Sequence, residues 1–107
     1  MKLYHVTLMR NYEQIKEDGL IPMIGERSKE FGEKEPCVYL FPSLEDMETA
    51  LLQWLGEWYF TEYDDESLAI LEVNLPEEFP ISLGGAEYEV ISKVPIEQKY
   101  IKLLREK

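Results

Sequence analysis

The sequence predicts an α+β fold: a small mixed or antiparallel β-sheet core with two helices. Three observations predict it. Strand-like runs rich in apolar and β-branched residues fall at Lys2–Leu8, Cys37–Phe41, Leu68–Leu75, Glu87–Val94 and Tyr100–Leu104. Met47, Ala50, Leu51, Trp54, Leu55 and Trp58 recur at helical spacing between the second and third runs. The resulting order, β-α-β-α-β-β-β, concentrates its strands late in the chain, as α+β folds do. At 107 residues the chain is expected to form one domain over residues 1–107, with one modest core.

Each element has a local reason. In the first strand Leu3, His5 and Thr7 alternate with Tyr4, Val6 and Leu8. Asn11 is placed to cap a short helix, Tyr12–Asp18, through its side-chain oxygen. Tyr12 and Ile15 share one face of that helix, and Gly19 stands where a helix end takes a left-handed residue. Met23–Pro36 reads as a loop of alternating charge, either a functional lid or a surface loop. Cys37-Val38-Tyr39-Leu40-Phe41 is a short buried strand ahead of a helix capped by Ser43, with Glu45 and Asp46 in its first turn. The helix runs through Trp58, and both tryptophans read as core anchors rather than ligand-stacking rings. Thr61–Ser67 reads as an acidic turn and Leu68–Leu75 as a central strand, apolar on both faces. Ile81-Ser82-Leu83 is a candidate short strand outside that order, Gly84-Gly85 makes a turn, and the last two strands of the order follow.

Charge narrows the functions. Eleven Lys and Arg stand against twenty-two Asp and Glu, a formal net charge of −11. From Glu35 to Ser92 there are fourteen acids and no Lys or Arg. Such a chain repels polyanions, so nucleic acid is not an expected partner and a basic protein surface is. The single Cys37 forbids an internal disulfide and fits a reducing cytosol. No apolar run is long enough to span a membrane, and no signal-like opening is present, so a cytoplasmic protein is expected. P-loop, G-x-G-x-x-G, H-E-x-x-H and Cys-pair motifs are all missing, and no metal site is expected.

Two features remain for chemistry. His5, the sole histidine, lies mid-strand on the same face as Thr7. Glu87 and Glu89 sit two apart, so both carboxylates leave one strand face, and the preceding Gly84-Gly85 permits close approach of a ligand. That face is either solvated or the wall of a cleft.

Tyr4-His5-Val6-Thr7 with Asn11, Ile15, Gly19-Leu20 and Pro22 forms H-x-T-x-x-x-N-x-x-x-I-x-x-x-G-L-x-P. This pattern resembles the opening of ADP-ribosyltransferase-fold proteins, especially DarT-type toxins, and more distantly the RNA 2′-phosphotransferases. Cys37–Phe41 with Ser43 resembles the second motif of that fold. Ala86-Glu87-Tyr88-Glu89-Val90 through Val94-Pro95 resembles the third. The resemblance implies NAD as substrate, with His5 and Thr7 on the adenosine ribose and Tyr39 packed on nicotinamide. It implies one catalytic glutamate: the E-x-E pattern favours Glu89, and alignment of the following Val-Pro favours Glu87. Arg27, the single arginine of the Met23–Pro36 loop, is then the expected partner of the NAD diphosphate.

The chain departs from DarT-type toxins in its acidity and in the short segment available to cover NAD. The expected activity is therefore transfer of ADP-ribose from NAD to a macromolecular acceptor, a protein rather than a nucleic acid. The alternatives are a degenerate NAD- or ADP-ribose-binding module, or an acidic interaction or inhibitor protein of the kind phages encode. Oligomeric state is not legible in the sequence.

Overall fold

The computed structural model describes residues 1–23, 36–64, 66–84 and 89–107. Within them the chain is a small α+β domain with three helices and two three-stranded antiparallel sheets. The first sheet has the order β1-β3-β6, with β1 Lys2–Leu8, β3 Leu68–Asn74 and β6 Ile101–Glu106. The second has the order β2-β5-β4, with β2 Val38–Leu40, β5 Val90–Ser92 and β4 Ser82–Leu83. The helices are α1 Tyr12–Asp18, α2 Leu44–Leu52 and α3 Trp54–Tyr63.

The period-two pattern decides which side of the first sheet each residue covers. Leu3 of β1 and Ala69, Leu71 and Val73 of β3 join Val38, Leu40, Ile15 and Ile96 in one buried cluster. Tyr4 and Val6 of β1 and Ile70 of β3 join Met47, Ala50 and Leu55 of the α2–α3 pair in another. The sheet is thus buried on both faces, which is why β3 reads as an almost unbroken apolar run. Central placement of β3, between β1 and β6, is as the sequence predicts.

Ser43 caps α2 as expected: its hydroxyl accepts from the Asp46 N–H at 3.0 Å. Such a cap contributes about 1 kcal/mol. Asn11 does not cap α1. It closes a 3-10 turn over Met9–Asn11 with helical backbone angles, and its side-chain amide donates to Thr7 Oγ1 at 3.1 Å. Gly19 ends α1 with φ +76°, and its neighbour Leu20 forms an antiparallel bridge with Ile96.

The single helix expected through Trp58 is two. Gln53, at φ −122° and ψ −117°, breaks it. The break carries the Leu51 carbonyl over the Cα of Gly56, where a Cβ would lie 1.7 Å from that oxygen. Leu55 and Met47 are buried, and half-buried Trp54 packs against their cluster beside Phe41 as the core anchor expected, whereas Trp58 is half-buried and belongs to neither buried cluster. The segment expected as an acidic turn from Thr61 is helical as far as Tyr63, and Asp64 takes the positive φ that ends it. Of the strand expected over Glu87–Val94, Glu87 and Tyr88 lie outside the described residues, and among the rest β5 runs over Val90–Ser92. Ser92 stops it by folding back, its hydroxyl donating to the Val94 carbonyl at 2.7 Å. Among the described residues no helix is long and apolar enough to cross a membrane.

Candidate functional site

The two sheets meet at one point. Tyr4 and Phe41 exchange backbone hydrogen bonds of 2.9 and 2.7 Å. An antiparallel ladder continued from there would next pair Val6 with Tyr39. Instead the strands part, and side chains take up both carbonyls. The Tyr39 carbonyl lies 2.7 Å from His5 Nδ1. The Val6 carbonyl accepts from the Tyr59 hydroxyl at 3.2 Å. A carbonyl can only accept, so Nδ1 carries the proton, and in the neutral ring Nε2 is the acceptor nitrogen.

Beyond this fork lies a cavity of about 400 Å³, within the range of small-molecule sites. β1 lines it with His5 and Thr7, and β2 with Val38 and Tyr39. From α1 come Gln14, Ile15 and Asp18, and from α3 Trp58, Tyr59 and Tyr63. Met23 and Cys37, which form an isolated bridge, lie at another side. Most of this lining is apolar or aromatic, with a few polar groups among it, the usual make-up of a ligand site.

His5, Thr7 and Tyr39 therefore come together as one group, although Tyr39 stands 34 residues from His5. Tyr39 is 8% exposed, so its ring is held by packing rather than by solvent. Glu89 is also buried, at 4% exposure, where its backbone carbonyl accepts from the Gly84 N–H at 2.9 Å. It precedes β5, the strand paired with β2, but it is not part of the cavity lining. Arg27, Gly85 and Glu87 lie outside the described residues, as does nearly all of the loop expected over Met23–Pro36.

The sequence reading missed the α3 wall. Trp58, Tyr59 and Tyr63 pack ring to ring, with centroids 5.0 to 6.1 Å apart. The density of aromatics over residues 54–63 was the available signal, and helical spacing alone assigned it to the interior. Asp18 was missed as well, because an acid in a short surface helix is ordinarily solvated. Among the described residues no three His, Cys, Asp or Glu side chains are grouped to hold a metal ion. Comparison with protein-family models, with curated proteins and with solved structures gave no match to this chain.

Proposed function

We propose that the chain is a small NAD-binding domain of the ADP-ribosyltransferase type. It takes NAD at the fork between β1 and β2 and transfers ADP-ribose to a macromolecular acceptor, a protein rather than a nucleic acid. The observation that carries this reading is the convergence of His5, Thr7 and Tyr39 on one cavity. These are the residues that the resemblance to ADP-ribosyltransferases assigns to NAD.

The chemistry suits the groups. His5, fixed through Nδ1 by the Tyr39 carbonyl, offers a ring in a set orientation. Thr7 supplies a hydroxyl on the same strand face. Cleavage of the nicotinamide–ribose bond develops positive charge on the ribose, which a nearby carboxylate stabilises. The same carboxylate can take the acceptor's proton. Glu87 and Glu89 are the proposed sources, and Arg27 the proposed partner of the diphosphate. The fourteen acids between Glu35 and Ser92 favour encounter with a basic acceptor surface.

One observation favours a second reading, binding without transfer. The Glu89 carboxylate is buried and does not line the cavity. Calorimetric titration with NAD, followed by assay of nicotinamide release in the same sample, separates the two. Binding with release supports the transferase, binding without release supports the binding module, and no binding at millimolar NAD defeats both. Replacing His5 by Ala is expected to weaken NAD binding by about 1–3 kcal/mol, the scale of a lost buried hydrogen bond. Unchanged affinity in a variant that still melts cooperatively would remove His5 from the site.

A further inference from the structure

The α3 wall adds a chemistry that His5, Thr7 and Tyr39 do not explain. Trp58, Tyr59 and Tyr63 put three packed rings on the cavity, and Tyr39 adds a fourth. Asp18 lines the same space. The Gln14 side-chain amide donates to the Asp18 carboxylate. Among the described lining residues Asp18 is the one Asp, Glu, Lys or Arg. It is also the last residue of α1, where the helix carbonyls add partial negative charge.

Aromatic rings attract cations through the negative potential of their faces, and tryptophan does so best. A carboxylate beside them adds direct attraction, which strengthens as the ligand displaces water. A small anion meets the opposite conditions. We infer that this cavity selects a small organic cation, one whose positive charge is spread over a planar ring or shielded by methyl groups. The oxidised nicotinamide ring of NAD is such a group, and a quaternary ammonium is another. The inference therefore goes beyond the NAD reading and does not depend on it.

The test compares a cation with its uncharged counterpart. 1-Methylnicotinamide, the pyridinium cation methylated on the ring nitrogen, is titrated into the full chain by calorimetry, and so, separately, are nicotinamide and choline. 1-Methylnicotinamide is expected to bind about tenfold or more tighter than nicotinamide, the scale of a desolvated cation–aromatic contact. Asp18→Asn, a change at an exposed residue, is expected to weaken the cation several-fold and leave nicotinamide unaffected. Trp58→Leu is expected to remove the preference for the cation; if that variant does not fold, Asp18→Asn and the paired ligands still decide. Choline binding without 1-methylnicotinamide binding makes the site one for quaternary ammonium, and the reverse makes it one for a pyridinium ring. Both results support the inference. Equal affinity for nicotinamide and its methylated cation overturns it, as does failure of both cations to bind at millimolar concentration. NAD and NADH keep the two proposals apart. A cation that binds where NAD does not defeats the NAD reading alone, while NAD and NADH binding equally well defeats the present inference alone.

Discussion

Replacing Gly19 by alanine is expected to destabilise the domain by about 3 kcal/mol or more, a large share of the 5–15 kcal/mol that holds a typical domain together. Two independent costs meet at this residue. Its φ of +76° is one that a side chain disfavours. An added Cβ would also lie 2.1 Å from the Ile96 carbonyl oxygen. That oxygen cannot retreat freely, because it accepts from the Leu20 N–H at 2.9 Å. The bridge that ties the end of α1 to Ile96 must open, and with it the wall that α1 gives to the cavity. Thermal melting followed by circular dichroism should show a midpoint lowered by on the order of 15 °C. A shift of only a few degrees would contradict the packing described for Gly19.

Replacing Glu87 and Glu89 together by glutamine is expected to abolish ADP-ribose transfer while the protein stays folded. Glutamine keeps the shape of glutamate and removes its charge, so it removes stabilisation of positive charge on the ribose and any general-base role. The expected loss of nicotinamide release is at least about a hundredfold, the smaller end of what a single positioned acid–base group contributes. Single variants then separate the glutamates, with Glu89 starting from a buried position beside Gly84. Full turnover in the double variant, with wild-type NAD affinity, would move the chemistry to another carboxylate.

The parts of the fold that could be read from sequence are those set by short-range patterns. β1, β2 and β3 follow from alternation and apolar runs, and the Ser43 cap follows from a local hydrogen bond. Gly19 was readable because a positive φ at a helix end has few other solutions. The break at Gln53 was not, since the helical period of Met47 through Trp58 continues across it unaltered. Gly56 explains the break only once the Leu51 carbonyl is seen above it. The early end of β5 was missed because Ser92 competes for the backbone with its own hydroxyl, which strand patterning does not register.

The candidate site divides in the same way. His5, Thr7 and Tyr39 were singled out by motif, yet nothing in their spacing says that Nδ1 meets the Tyr39 carbonyl. That contact depends on where the ladder from Tyr4 and Phe41 stops. Trp58 was assigned to the interior because periodicity marks an apolar face without saying whether protein or ligand covers it.

The central position of β3 also bears on how the chain reaches this structure. β1 cannot pair with β3 until about sixty further residues are available, since Leu8 lies opposite Leu68, and so long a closure slows folding. The α2–α3 pair needs no such wait, because its contacts are local. It can form early and offer Met47, Ala50 and Leu55 as a surface on which Ile70 settles. Until β3 arrives, the edge of β1 stays open to pairing with other chains. The fork that makes the cavity is therefore expected to be completed only once β1 is held against β3, with pairing of the open β1 edge to other chains as the competing outcome.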